Sequence, residues 1–193
     1  MMYNLILQNI SRYIQLTKEE AEYFISILHV KKLRRKQYLV QEGDVCRFES
    51  FVNKGCLRTY QVDEKGQEHI AQFGIEGWWI SDLYSFLTAT PALFNVDALE
   101  DSELFCLDKS SLEELYVQVP KFERFFRIIF QNAYIREQLR VIQNLSLSAE
   151  ERYDNFLTKY PQIVKQVTLK QIASYLGITP EFLSAIRAGK SRR

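Results

Sequence analysis

The pattern of hydrophobic and polar positions divides the chain into a helical start, a strand-rich middle and a helical end. Residues 4–29 carry apolar residues at helical spacing in two pieces, and Thr17 with Glu20 forms a capping box that begins the second piece. From Gln37 to Asp108, short runs of β-forming residues alternate with regularly spaced glycines. Because no helix-length segment separates these runs, they predict about seven or eight short antiparallel strands in a jelly roll.

Smaller signals locate turns and borders in the strand-rich middle. The segment 63–66, Asp-Glu-Lys-Gly, predicts a hairpin turn. The segment 31–36 holds five basic residues in six, which predicts a solvated edge before the first strand, with a nucleic-acid patch as the alternative. Trp78 and Trp79 would point to opposite faces of a strand, so only one is expected in the core. Asp82 is expected to cap a short helix that follows them.

A long helix is predicted from Pro120 to about Leu145, because this stretch contains neither glycine nor a further proline. Isoleucines recur on it every seven residues, which predicts a seam that pairs with a second copy of the chain. The predicted seam consists of Ile128, Ile135, Leu139 and Ile142. The alternative is a helix that packs on its own domain, and the two arrangements can hold in different parts of the helix. Ser148 with Glu151 then signals the start of another helix, which Pro161 is expected to stop.

Two short helical patterns meet at Gly177 near the end of the chain. Thr168 with Gln171 forms a capping box for the first helix, and Thr179 caps the second. Apolar Phe182, Leu183 and Ile186 are predicted to face inward, and Glu181, Ser184 and Arg187 to form an outward stripe. The pattern predicts a helix-turn-helix. An ordinary pair of core helices is the alternative, and the cationic chain end after the second helix weighs against it.

Composition limits the function classes. The 193 residues include 25 Lys and Arg against 24 Asp and Glu, so any attraction for nucleic acid must be local. The three cysteines, Cys46, Cys56 and Cys106, lie far apart without a C-x-x-C pair, which predicts buried free thiols and no metal site or cofactor. The N-terminus lacks a signal-peptide pattern, and no long apolar run could span a membrane. A cytoplasmic protein without a membrane partner is expected.

The order of these elements resembles the bacterial cyclic-AMP receptor protein and Fnr (Crp/Fnr) family of transcription regulators. The resemblance covers nearly the whole chain and is most specific at residues 98–115 and 151–187. It implies an α+β fold with an N-terminal antiparallel β-roll of the cyclic-nucleotide-binding type (1–119), a connecting dimerisation helix (120–146) and a helix-turn-helix domain (147–193). Only six residues follow Arg187, as in the short wingless members. The implied partners are double-stranded DNA, a second copy, RNA polymerase and an unknown small-molecule effector.

Two departures from the family pattern concern the effector. Members that bind cyclic nucleotides carry a Gly-Glu pair and, about ten residues later, an arginine that neutralises the cyclic phosphate. By position these places hold Ser81-Asp82 and Ala92-Leu93, so no cyclic-AMP response by the usual chemistry is expected. The implied effector pocket comprises Ser81, Asp82, Leu83, Ala92 and Leu93, with Arg58 as a substitute cation. The oxygen-sensing branch uses N-terminal cysteines, and no cysteine precedes Cys46, which disfavours an iron–sulfur centre.

The resemblance also implies how DNA would be contacted. Glu181, Ser184 and Arg187 would face base edges, and the family's base-reading arginines would fall at Pro180 and Ala185, so the preferred sequence is expected to differ. Candidate phosphate contacts are Thr168, Gln171, Thr179, Lys190, Arg192 and Arg193.

Two other classes of function stay open. A cupin-like metal enzyme needs several convergent histidines, and only His69 lies in the strand region, so no enzyme is expected. A sensory module that binds a protein partner is harder to separate from a DNA-binding protein.

Overall fold

The computed structural model of the chain describes residues 2–190, and the fold it contains is the predicted α+β class. The helices are α1 (Asn4–Ser11), α2 (Lys18–Ser26), α3 (Leu83–Thr88), α4 (Lys109–Gln118), α5 (Lys121–Ser146), α6 (Ala149–Lys159), α7 (Pro161–Gln166), α8 (Leu169–Leu176) and α9 (Pro180–Lys190). The strands are β1 (His29–Leu33), β2 (Tyr38–Val40), β3 (Phe48–Lys54), β4 (Cys56–Val62), β5 (Glu68–Ile75), β6 (Trp79–Ile80), β7 (Asn95–Ala98) and β8 (Ser102–Asp108).

The strands form two antiparallel sheets that enclose a jelly roll. One sheet has the order β1-β8-β3-β6 and the other β2-β7-β4-β5. The predicted hairpin turn joins β4 to β5, and Asp63 Oδ1 accepts hydrogen bonds from the backbone N–H groups of Lys65 and Gln67, both at 2.9 Å. Gly55 between β3 and β4 has φ +99, and a Cβ there would lie 2.3 Å from Ser102 Oγ, so only glycine fits this turn.

The first strand begins earlier than the sequence pattern predicted. Lys31 and Lys32 lie inside β1 and pair with Leu104 and Glu103 of β8, so the basic run does not precede the first strand. Lysines suit this position because β1 is an edge strand, where long charged side chains stay in solvent and discourage pairing with another sheet. Lys32 Nζ lies 3.7 Å from Glu103 Oε2 across the strand pair.

The main core fills the roll and the space between its first sheet and helices α1, α2, α4 and α5. Trp79 is the tryptophan that faces this core, as the alternation predicted, while Trp78 is half-buried. The Trp79 ring lies 5.3 Å from Phe51 and 5.3 Å from Phe126, measured between ring centroids. The start of α5 is therefore fixed to the roll by aromatic packing.

A second core joins the outer face of the other sheet to the C-terminal helices. Its members are Cys56, Tyr60, Ile70, Phe73, Ile75, Tyr153, Phe156, Ile163, Ile172, Ala173, Leu176 and Leu183. Ser174 on α8 closes the contact, since its hydroxyl donates to the carbonyl of Glu68 at 2.6 Å and accepts from the N–H of Ile70 at 3.0 Å. β5 is the edge strand of its sheet, so this serine satisfies backbone groups that have no strand partner on that side.

The connecting helix α5 ends one residue before the Leu147 cap, and the predicted capping box at Ser148 begins α6. Pro161 does end α6, but it also occupies the first turn of the short helix α7, which the sequence pattern did not predict. Proline is favourable there because the first helical residue needs no N–H donor.

Candidate nucleic-acid interface and effector site

The first helix of the predicted helix-turn-helix starts with a complete capping box. Thr168 Oγ1 accepts from the N–H of Gln171 at 3.3 Å, and Gln171 Oε1 accepts from the N–H of Thr168 at 2.8 Å. Gly177 ends α8 with φ +67, a conformation that costs glycine little. Both capping side chains lie near the surface and hold α8 in place before any ligand binds.

The second helix, α9, is held by a narrow buried arc. Thr179 Oγ1 accepts from the N–H of Phe182 at 3.2 Å and caps the helix. Leu183 is fully buried and Ile186 is half-buried, but Phe182 is 53% exposed, so the prediction that it faces inward was wrong. α9 rests on the rest of the molecule through one side only, and Phe182 lies at the rim of the contact, beyond Ile186.

The predicted outward stripe of α9 is exposed along its length. Glu181, Ser184 and Arg187 all have exposed side chains. The Ser184 hydroxyl donates to the carbonyl of Pro180 at 2.8 Å, which leaves its oxygen lone pairs facing out. A carboxylate, a hydroxyl and a guanidinium on one exposed helical face are groups that can read base edges in a major groove.

The cationic end of α9 is partly engaged. Lys190 Nζ contacts the carboxylate of Asp154 and lies 3.8 Å from Glu150 Oε1, both on α6. A phosphate contact by Lys190 would compete with these two carboxylates. Arg192 and Arg193, the other predicted phosphate contacts of the tail, lie outside the described residues.

Asp82 lies at the start of α3, where the family's phosphate-binding segment would begin, and it is buried. Its carboxylate accepts from three backbone N–H groups, those of Ser85 at 2.9 Å, Leu93 at 2.8 Å and Phe94 at 3.0 Å. A helix start and a loop whose N–H groups converge are a typical anion-binding arrangement. Here the protein's own carboxylate occupies it, next to the buried Ala92.

Ser81 points the other way, to the outer face of the sheet. Its hydroxyl donates to the carboxylate of Glu49, a residue that the sequence analysis missed although it interrupts the apolar run of β3. Glu49 is only 4% exposed, and burial raises its pKa to about 7 against the hydrogen bond from Ser81. Ser81, Leu83 and Glu49 line a cavity of about 170 Å³ that α5 closes on one side.

Arg58 does not join these residues. It lies on the outer face of β4, opposite Leu57, whose side chain belongs to the core of the roll. Its Nε donates to Asp97 Oδ1 at 2.8 Å, and its Nη2 donates to Glu68 Oε1 at 3.0 Å. Two carboxylates already neutralise the guanidinium. Among the described residues, the six predicted effector residues therefore do not meet in one cavity, and Arg58 is not a free cation for a phosphate.

The predicted dimer seam emerges from the domain part-way along α5. Ile128 is half-buried, whereas Ile135, Leu139 and Ile142 are 54%, 45% and 55% exposed. All four lie within a sector of about 60° on a helix of 100° per residue. The N-terminal part of α5 packs on its own roll. Farther along the helix, Ile135, Leu139 and Ile142 form an exposed apolar stripe.

Within residues 2–190, no group of three His, Cys, Asp or Glu side chains could hold a metal ion. The three cysteines are buried thiols. None of the helices described is long and apolar enough to cross a membrane.

Comparison with known proteins agrees with this geometry. The sequence profile of the cyclic nucleotide-binding domain matches residues 30–118. The regulatory protein HlyX of Actinobacillus pleuropneumoniae is 25% identical over 189 residues, which cover 89% of this chain and 75% of HlyX. The fumarate and nitrate reduction regulatory protein of Vibrio cholerae is 26% identical over 185 residues, covering 89% of this chain and 72% of the relative. The structure of FixK2 from Bradyrhizobium japonicum superposes with a TM-score of 0.75 at 17% identity, covering 84% of each chain. The chain is therefore similar in sequence to regulatory proteins over most of its length and has the fold of FixK2, the combination that its resemblance to the Crp/Fnr family implied.

Proposed function

We propose that this chain is a homodimeric transcription regulator that binds double-stranded DNA through α9. The observation that carries the proposal is the exposed polar stripe of α9, which α8 supports from beneath through a capped start and a glycine turn. A helix held on one side and polar on the other fits the recognition helix of a helix-turn-helix, which enters the major groove. The similarity to the regulatory proteins of Actinobacillus pleuropneumoniae and Vibrio cholerae supports the same function.

Pairing through α5 would give the two recognition helices a two-fold relation. The exposed seam of Ile135, Leu139 and Ile142 supports this pairing, because an apolar stripe at seven-residue spacing matches the contact face of a coiled coil. The expected operator has two half-sites about 34–36 Å apart, one turn of DNA. In this scheme residues 1–119 sense the effector, residues 120–146 connect the domains and pair the two copies, and residues 147–193 bind DNA. The protein would act in the cytoplasm, with RNA polymerase as a further partner.

The groups of the reading domain would divide between bases and phosphates. Glu181 can accept from cytosine, and Arg187 can donate two parallel hydrogen bonds to guanine. Three side chains lie at helix starts, where unpaired backbone N–H groups attract phosphate: Thr168, Gln171 and Thr179. Each of them already makes a capping hydrogen bond. Lys190 would reach a phosphate only by leaving Asp154.

Replacing Arg187 tests the assignment of this residue to base reading. Arg187→Ala should weaken binding to the selected operator by ~1–3 kcal/mol and relax one base position in each half-site. Arg187→Lys keeps the charge but loses the planar fork, so it should bind random duplex like the unmodified chain and the operator like Arg187→Ala. Fluorescence anisotropy on both duplexes at several salt concentrations measures the effect. If the lysine variant restores operator binding, Arg187 contacts a phosphate.

The same titrations separate DNA binding from the alternative in which the C-terminal helices bind a protein. Phosphate contacts release counterions, so affinity for random duplex should fall steeply with salt. Weak binding without salt dependence would favour the protein-binding alternative.

An effector other than a cyclic nucleotide is the second part of the proposal. The Asp82 carboxylate already accepts from three N–H groups of the cassette. A cyclic phosphate there would meet this negative charge, and it would lack the family's arginine, whose place Ala92 holds. Calorimetric titration with cyclic AMP should give no saturable heat in the micromolar range. Micromolar binding that Asp82→Asn leaves unchanged would contradict this account of the cassette.

A further inference from the structure

A second cavity lies at the joint between α5 and α6, and positively charged side chains surround it. Arg136 and Arg140 extend from α5, and Arg152 and Lys159 extend from α6. The other lining residues are neutral amides, aromatic rings and one leucine, and no carboxylate of the described residues lines the cavity. Four like charges around one space repel each other, so this arrangement is unfavourable unless something neutralises it.

The groups that touch these cations are mostly neutral. Arg140 donates to the backbone carbonyls of Ala71 and Ile70, and its guanidinium lies 4.8 Å from the ring centre of Tyr175. Arg152 Nη1 donates at 2.9 Å to Asn144 Oδ1 and at 2.9 Å to the carbonyl of Leu176.

The nearest carboxylate neutralises the cluster only in part. Glu137 approaches Arg136 at 3.8 Å and Arg140 at 3.7 Å, outside hydrogen-bond distance, and its side chain is half exposed. Charge and hydrogen-bonding capacity both remain on the arginines.

Two of the arginines also carry buried donors that lack an acceptor. Within residues 2–190, the Nε atoms of Arg136 and Arg152 are buried and make no hydrogen bond. An unsatisfied buried donor is destabilising, and a native structure retains one where another group completes it. The Nε edge of a guanidinium suits two oxygens of one anion.

We propose that this cavity binds a free, phosphate-sized oxyanion that joins α5 to α6 and α8. The cavity is open to solvent, and its volume of about 30 Å³ is too small to enclose a nucleoside, which favours a small anion. The anion would neutralise Arg136 and Arg140 on the connecting helix together with Arg152 and Lys159 on the reading domain. Its binding would fix the angle between these parts, and this role does not depend on which effector the roll senses.

Calorimetric titration of the full chain with inorganic phosphate, at matched ionic strength in chloride, tests the proposal. Saturable binding is expected, and sulfate should compete while acetate should not. Arg136→Gln and Lys159→Gln should each weaken binding about tenfold, since each removes one charged contact. Neither substitution removes a hydrogen bond within the described residues. The control Arg12→Gln, an exposed arginine beside α1, should leave the affinity unchanged.

Thermal unfolding checks that the variants fold and separates binding from structure. Without phosphate, Arg136→Gln should unfold at the same temperature as the unmodified chain or at a higher one, because one repelling charge is gone. With phosphate, the variant should unfold at a lower temperature than the unmodified chain. No saturable heat with phosphate, or equal affinity in all variants, overturns the proposal. If AMP binds more tightly than phosphate, the proposal is overturned in favour of a nucleotide site. If Arg136→Gln loses DNA affinity tenfold in phosphate-free buffer, the proposal is overturned in favour of a DNA contact.

Discussion

Replacing Ile135 with lysine should convert the proposed dimer into monomers. Ile135 is 54% exposed at the centre of the apolar seam of α5, and in a two-fold pair each copy would place its lysine against the other. Burying like charges without partners costs several kcal/mol, on the order of the 3–5 kcal/mol lost when a buried ion pair is broken. Operator binding should weaken when dimerisation is lost, because a single recognition helix then contacts the DNA.

Sedimentation velocity over a range of concentrations measures the change. Val141→Lys is the matched control, because Val141 is 52% exposed on the same helix and lies about 120° around it from Ile135. The control should sediment as a dimer. A stable Ile135→Lys dimer, or equal dissociation of both variants, would show that the seam lies elsewhere on α5.

Replacing Glu49 with glutamine should stabilise the fold above neutral pH. Burial raises the pKa of Glu49 from 4.5 to about 7, while the unfolded chain keeps the ordinary value. Between these values the folded state binds the extra proton, so the stability contributed by this residue falls as pH rises from about 4.5 to 7. The loss amounts to about 3 kcal/mol above pH 7, and glutamine avoids it while keeping the shape and a hydrogen-bond acceptor for Ser81.

Urea unfolding at pH 5 and pH 8 tests this linkage. The free energy of unfolding of Glu49→Gln should exceed that of the unmodified chain by less than ~1 kcal/mol at pH 5 and by about 3 kcal/mol at pH 8. Glu22→Gln, which alters an exposed pair with Lys18, should differ by less than ~0.5 kcal/mol at either pH. A Glu49→Gln difference that does not change with pH would mean that the carboxyl titrates normally in the folded protein.

Elements whose ends are fixed by neighbouring residues could be predicted from the sequence. The capping boxes at Thr17, Ser148 and Thr168 begin α2, α6 and α8 as expected, because each cap bonds to a residue three positions away. The stripe of α9 was equally readable, since helical spacing alone decides which side chains share a face.

Features that depend on distant parts of the chain could not be predicted. Ser81 and Asp82 are adjacent, yet the first meets Glu49 on the outer face and the second meets the loop before β7. Sequence position matched both to one pocket, but only the fold shows which face each one takes. Arg58 and Phe182 show the same limit, because the surfaces on which they lie are set by contacts between the roll and the C-terminal helices.

The most direct test of the central claim is selection of bound duplexes from a random DNA pool by the full chain. We expect enrichment of a two-fold symmetric sequence with half-sites about 10 base pairs apart. The Arg187→Ala variant should lose one enriched position in each half-site. A pool that emerges without enrichment at low salt, where phosphate contacts are strongest, would contradict the assignment of α9 as a DNA-reading helix.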